Sequence, residues 1–249
     1  RSKSLGFSTS VFDKRGVDLL HELDVPYIKI ASCDLNNSHL LRYAAETGRK
    51  LVISTGMATL SEIDRAVDDV SRTGNTDIVL LHCVSVYPAP TEIMNIGFIQ
   101  TVKTAFGLPV GFSDHTENSV AVALAVALGI DWVEKHYTFD RKAEGFDHAY
   151  AMEPEMFTAY IQDIRAAEKA ISNNRLKIGD AEANTKLRAR RALYAARDMQ
   201  VGEKLTEADV LIVRPEGPLN PNDLHLILGR VLQCPIHQYE ALRLEQFMG

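Results

Sequence analysis

Short apolar runs alternate with helix-length segments from the start of the chain to about residue 173, and this alternation constrains the fold more than any other feature. Residues 5–10 (LGFSTS), 27–32 (YIKIAS), 50–56 (KLVISTG), 77–83 (DIVLLHC), 109–112 (PVGF) and 130–133 (IDWV) read as strands. Helices are expected between them at about 14–23, 38–47, 59–73, 96–106 and 119–128, with a long one over 153–173. Such strands are apolar on both faces, the mark of parallel strands buried under helices. Polar residues collect just after the strands and not before them, which favours a (β/α)8 barrel, with its chemistry at the C-terminal strand ends. A doubly wound sheet would more often carry a glycine-rich phosphate loop, and neither GxGxxG nor GxxxxGK[ST] occurs. A barrel needs eight strands and six are legible, so the expectation is an α/β TIM barrel with about six strands present and two βα units lacking at the front.

The densest chemistry lies in residues 109–148. The first strand of this block stops at Ser113, Asp114, His115 and Thr116, and the second at Glu134, Lys135 and His136. Neighbouring strand ends would thus each carry one imidazole, and two imidazoles can share a metal ion that keeps open positions for substrate. Within the earlier strands, Lys29 sits between Ile28 and Ile30, and a lysine in a barrel lumen is costly unless it meets an anion or a carboxylate. Ser54, Thr55 and Gly56 follow their strand with hydroxyls and open backbone, which suits phosphate contact and is also ordinary turn chemistry. Ser85, Tyr87 and Ser113 lie in the next loops. Together these ends suit a small, anionic, oxygen-rich ligand beside a metal. His82, between apolar neighbours, reads as a satisfied core residue, and His21, His39, His225 and His237 as surface or packing residues.

Residues 174–191 are polar and weakly periodic and read as a linker; residues 192–249, short apolar runs broken by turns, read as a small β-rich domain. A barrel domain over 1–173 completes the division. With 249 residues, 46% hydrophobic, the chain can bury a large core, and its net charge of −6 gives no reason to expect nucleic acid or an anionic membrane as partner. No apolar run reaches membrane-span length and no signal-peptide pattern is present. Cys33, Cys83 and Cys234 are far apart without a CxxC, as expected of reduced thiols in a cytoplasmic protein.

Residues 29–32 (KIAS), 53–57 (ISTGM), 81–83 with Tyr87 and Pro88, 111–116 (GFSDHT), 134–138 (EKHYT) and Asp147-His148 resemble, in order, the sialic acid synthase family. This family comprises the N-acetylneuraminate synthases and their legionaminate and pseudaminate relatives. The tail from about Ala192 resembles the small antifreeze-like (SAF) domain of these enzymes. The resemblance implies a transferase of carbohydrate biosynthesis that joins phosphoenolpyruvate to an N-acylated amino sugar such as N-acetylmannosamine, giving a nonulosonic acid and phosphate. It implies a divalent ion (Mn, Mg or Co) on His115 and His136, and catalytic roles for these two with Lys29 and Asp147. Lys29, Ser54, Ser85 and Ser113 would hold phosphoenolpyruvate, with Ser32 nearby; Tyr87, Asp147 and Arg214 would hold the sugar, with Asp34 standing where many members carry Glu. Ser85 stands where some carry Asn. Arg214 would reach the partner's site in a domain-exchanged homodimer. The family's first two strands supply an acid and a lysine, and the chain as given is expected to be catalytically deficient without them. The alternatives are another phosphoenolpyruvate-dependent 3-deoxy sugar acid synthase, or a non-catalytic barrel that binds an acidic sugar or phosphate ligand.

Overall fold

The structure, a computed structural model, describes residues 5–171 and 178–247. The chain divides into two compact units, Arg1–Ser172 and Asn173–Gly249. In the first, strands and helices alternate as β1 (Ser10–Val11), α1 (Lys14–Glu22), β2 (Tyr27–Ile30), α2 (Ser38–Glu46), β3 (Lys50–Ser54), α3 (Leu60–Ser71), β4 (Ile78–Cys83), α4 (Phe98–Phe106), β5 (Val110–Asp114), α5 (Val120–Ala127), β6 (Val133–Lys135) and α6 (Pro154–Ala170). All six strands are parallel and pair in chain order, β1 through β6, the order of a (β/α)8 barrel of which six strands are present.

Local chemistry sets the element ends. Asp13, Asn37 and Thr59 cap α1, α2 and α3 by accepting a free backbone N–H from the first turn. At α3 the cap is reciprocal: Glu62 turns back to accept from the Thr59 backbone at 2.8 Å, as the spacing of these residues suggests. Pro154 opens α6, where its missing N–H costs nothing, and Gly107 ends α4 with φ of 62°, a left-handed conformation that glycine adopts freely.

The strands present two apolar faces. Ile28, Ile30, Leu51, Ile53, Leu80 and Phe112 point outward into the layer of helices, where they form the main core with residues such as Leu41, Ile63 and Val102. Val52, Val79 and Leu81 point the other way, toward Tyr27 and Trp132, and form a smaller cluster in the lumen. Tyr27 on β2 meets Trp132, just before β6, edge-on at 5.3 Å, a contact between distant strands that only a curled sheet allows.

Three strand expectations shift. Only Ser10 and Val11 of residues 5–10 and their surroundings find partners on β2, and Leu5 and Phe7 stay exposed, so the first strand is far shorter than its apolar look suggests. The fifth strand extends past its apolar run into Ser113 and Asp114, whose backbones pair with Glu134 and Lys135. The sixth starts at Val133, later than the apolar run at 130, because these polar residues and not Ile130 lie opposite β5.

The second unit pairs β7 (Ala192–Ala195) with β8 (Val210–Val213) antiparallel, and adds isolated bridges such as Met199 to Ile236. Leu193, Met199, Leu205, Ile227, Leu232 and Leu242 fill its core. The segment 174–191 is not irregular throughout: α7 (Asp180–Ala189) is a helix with acids in its first turn and bases in its last, complementing the helix dipole. Residues 174–177 of that segment lie outside the described residues. A short α8 (Leu224–Ile227) follows β8 where an apolar run was read simply as β-rich.

Thr59→Ala removes the reciprocal cap of α3 and is expected to cost about 1 kcal/mol, read as a lowered midpoint with unchanged slope in urea denaturation.

Candidate active site

Strand alternation aims every second residue into the lumen. On β5 and just beyond, Gly111, Ser113 and His115 share one side; on β6 Glu134 pairs in register with Ser113, and His136 follows two residues later. Lys29 on β2 and Ser54 on β3 reach the same space. The Lys29 ammonium donates to Ser54 Oγ at 2.7 Å and to the Ile30 carbonyl at 3.0 Å, and lies 3.6 Å from the Glu134 carboxylate. Burial pushes its pKa below the usual lysine range, and Glu134 works against that shift. Ser113 donates to Glu134 at 2.7 Å. A polar chain thus runs from Ser54 through Lys29, Glu134 and Ser113 toward His115 Nε2, 3.4 Å from the Ser113 hydroxyl.

A second cluster adjoins it. Gly56 N donates to Ser32 Oγ at 3.0 Å, and that hydroxyl lies 3.2 Å from Cys83 Sγ. A Cβ on Gly56 would come within 2.3 Å of Ser85 Oγ, 2.8 Å of Cys83 Sγ and 2.9 Å of Ser32 Oγ, so only glycine lets these three groups converge. Ser85 Oγ is buried, and among the described residues it has no hydrogen-bond partner. A buried hydroxyl without a partner costs free energy that a ligand oxygen can offset.

The imidazoles meet at the rim. The His115 and His136 rings lie 5.3 Å apart, with Tyr87 against both at 4.2 and 5.8 Å. The Val84 carbonyl accepts from His115 Nδ1 at 2.8 Å, which places the proton there and leaves the Nε2 lone pair free. Burial lowers the pKa of His115, keeping it in the neutral form that a metal ligand requires. No group of three His, Cys, Asp or Glu that could hold a metal converges among the described residues. The two imidazoles, with their rings 5.3 Å apart, are the residues that could hold a divalent ion, whose remaining positions water or substrate oxygens would have to fill. Asp147 Oδ2 lies 3.8 Å from His136 Nδ1, and Tyr150 donates its hydroxyl to the other oxygen of that carboxylate. Burial, with Asp147 beside it, raises the Tyr150 pKa, so the phenol is a donor at neutral pH.

On the far side of the same strands, Asp114 and Lys135 form a buried ion pair at 3.4 Å, with side chains 0% and 3% exposed. Asp114 also accepts from Tyr160 of α6 at 2.7 Å and from the Thr116 backbone at 2.8 Å, while Lys135 donates to the Thr116 carbonyl. Burial pushes the Lys135 pKa down and Asp114 opposes it.

Of the residues singled out in the sequence, Lys29, Ser32, Ser54, Ser85, Ser113 and Tyr87 line one cavity of about 660 Å³, together with His115, His136 and Asp147. Asp34 is not among its lining residues; its carboxylate accepts from Asn37 at 3.2 Å. Arg214 sits after β8 in the second unit, exposed to solvent. Glu134 and Cys83, named at their strand ends but given no role in the site, also line the cavity, as does Tyr150, which the sequence did not mark. Period-two spacing from His136 would have found Glu134, whereas no local pattern marks Tyr150. His82 is a satisfied core residue, buried with Nε2 at 2.7 Å from the Met94 carbonyl, and His21, His39, His225 and His237 are exposed. The cysteines are free thiols. No helix among the described residues is long and apolar enough to cross a membrane.

A parallel barrel sheet whose strand ends gather a lysine, hydroxyls, carboxylates and paired imidazoles is the arrangement of a barrel-type active-site face. The chain belongs to the NeuB family, whose model matches residues 1–175, and a SAF domain matches residues 190–248. It is 36% identical over 234 residues to an N,N'-diacetyllegionaminic acid synthase of Legionella pneumophila, covering 92% of this chain and 66% of the relative. A pseudaminic acid synthase of Campylobacter jejuni is 33% identical over 239 residues, covering 96% of this chain and 69% of the relative. The crystal structure of an N-acetylneuraminic acid (sialic acid) synthetase from Leptospira borgpetersenii, in complex with citrate, superposes with a TM-score of 0.68 at 35% identity, covering 74% of this chain and 64% of that one. The chain thus spans about two thirds of the length of these relatives.

Gly56→Ala is backbone-compatible but crowds three side chains at once, and is expected to destabilise the first unit by about 1–3 kcal/mol in thermal unfolding. Lys135→Met strands the Asp114 carboxylate without its cation and is expected to cost about 3–5 kcal/mol in the same measurement.

Proposed function

We propose that this chain is a nonulosonic acid synthase that condenses phosphoenolpyruvate with the open-chain aldehyde of an N-acylated amino sugar. The new bond joins C3 of phosphoenolpyruvate to the aldehyde carbon, whose oxygen takes up a proton. Water adds at C2, the C2–O bond to phosphate breaks, and the keto acid and inorganic phosphate result. The observation that carries the reading is the convergence of an anion-binding group and a carbonyl-binding group in one cavity of about 660 Å³. Membership of the family, whose relatives are named as synthases of legionaminic and pseudaminic acids, supports it.

In this reading Lys29 pairs with the carboxylate or phosphate of phosphoenolpyruvate, exchanging part of its contact with Glu134 for a stronger anion. Ser54, which accepts from Lys29, keeps its own proton to donate; Ser113 would turn its hydroxyl from Glu134 to the ligand, and Ser85 would offer its buried hydroxyl to a ligand oxygen. Ser32, held by the Gly56 N–H, is poised beside them. His115 and His136 would hold a divalent ion, which supplies Lewis-acid polarisation of the acceptor carbonyl. Tyr87 and Asp147 hold the sugar, its hydroxyls pairing with the carboxylate. Arg214, on the second unit, would serve the sugar in a partner subunit's site.

The test is phosphate release by the chain joined to the two front βα units of the family, in the presence of phosphoenolpyruvate, N-acetylmannosamine or another N-acylated amino sugar, and Mn2+, with the sugar acid appearing in equal amount. Chelation is expected to abolish turnover, and His136→Ala to abolish it at ordinary metal concentrations. Ligand binding with no phosphate released would overturn the synthase reading in favour of a non-catalytic binding barrel, and full turnover after exhaustive chelation would remove the metal.

A further inference from the structure

Asp147 is the least restrained member of the site. Its side chain is 66% exposed, and an aspartate so exposed on a loop ordinarily samples several rotamers. A carboxylate that must meet one particular sugar hydroxyl needs a single direction. Tyr150, three residues on and at the end of a short 3-10 turn (His148–Tyr150), supplies the restraint: its hydroxyl donates to Oδ1 of Asp147. The other oxygen is left facing His136 Nδ1 at 3.8 Å.

The Tyr150 ring does a second thing. It stands edge-on to the His136 imidazole at 5.2 Å and tilts against the Tyr87 ring at 5.1 Å. One side chain therefore touches three residues of the acceptor group and joins Tyr87 and His136 into a continuous aromatic wall along the cavity. A ring face beside a fixed carboxylate suits a sugar, whose C–H surface packs on aromatic carbon while its hydroxyls pair with oxygen. The backbone carrying Tyr150 is anchored independently of this side chain. Thr138 Oγ1 and His148 Nδ1 lie 2.7 Å apart, and Arg141 ties the Ala149 carbonyl at 2.9 Å and Glu117 at 2.9 Å.

We infer that Tyr150 is a positioning residue of the acceptor half of the site, orienting Asp147 through its hydroxyl and shaping the sugar-receiving wall through its ring. The inference rests on the synthase reading above, and narrows it by assigning sugar recognition to the Tyr87–Tyr150–Asp147 side of the cavity and not to the lysine and serine side.

The experiment compares Tyr150→Phe, which deletes the hydroxyl and keeps the ring, with Tyr150→Ala and Thr138→Val. Steady-state phosphate release is followed with phosphoenolpyruvate, Mn2+ and a panel of N-acylated amino sugars that includes N-acetylmannosamine, with melting temperatures measured alongside. Tyr150→Phe is expected to raise KM for the sugar about tenfold, the loss of one charge-assisted hydrogen bond, and to move KM for phosphoenolpyruvate less than about twofold. Tyr150→Ala is expected to raise the sugar KM further and to lower kcat. Thr138→Val loosens the loop that carries both Asp147 and Tyr150, and is expected to raise the sugar KM less than Tyr150→Ala does. A Tyr150→Phe variant with wild-type sugar KM, or one that raises the KM for phosphoenolpyruvate as much as that for the sugar, would overturn the inference while leaving the synthase reading intact. Wild-type protein carrying the two front βα units that turns over no sugar of the panel would overturn both.

Discussion

The contact between Lys29 on β2 and Glu134 on β6 is the constraint around which the first unit is arranged. These strands are not neighbours in the sheet, so a separation of 3.6 Å between their side chains exists only because the sheet curls. A lysine whose side chain is 9% exposed carries a desolvation cost, which Glu134, Ser54 and a backbone carbonyl offset in part. Burial pushes the lysine's pKa down, and Glu134 opposes that shift. The lysine thus sits among hydroxyls and one carboxylate, a polar cluster enclosed by the apolar faces of the strands.

The opposite face of the same strands supplies rigidity. Asp114 and Lys135 are register partners in the sheet, and the residue after each is one of the paired histidines. Their ion pair, with Tyr160 hydrogen-bonded to Asp114 from α6, fixes how the two strand tips stand to each other and to the helix layer. One side of a strand end therefore sets the geometry that its other side uses. Such a pair contributes little net stability compared with apolar packing of the same volume, and its value here lies in the register it imposes.

Relatives named for different sugar acids match this chain at similar identity, 36% and 33%. The lysine and serine group stands on the strands themselves, whereas the loop bearing Asp147 and Tyr150 lies beyond β6, outside the sheet. Loops held by side-chain contacts can vary without disturbing the strands that carry the anion site.

The sequence by itself determined the architecture, because strand and helix periodicities and the polar strand ends are local properties that survive without knowledge of neighbours. The capping box at Thr59, the pairing of His115 with His136 and the core placement of His82 were all legible in this way. The polar continuations of β5 and β6 were not, since they are strand only because each other's backbones lie opposite. Nor was the helix of α7, whose weak apolar periodicity hid a segment stabilised by terminal charges. Which acid meets Lys29, why Gly56 must lack a side chain, and the reach of Tyr150 onto Asp147 were decided by tertiary structure alone. Each depends on the distance between groups brought together by the curl of the sheet or the path of a loop, and such distances are not encoded in the spacing of residues along the chain.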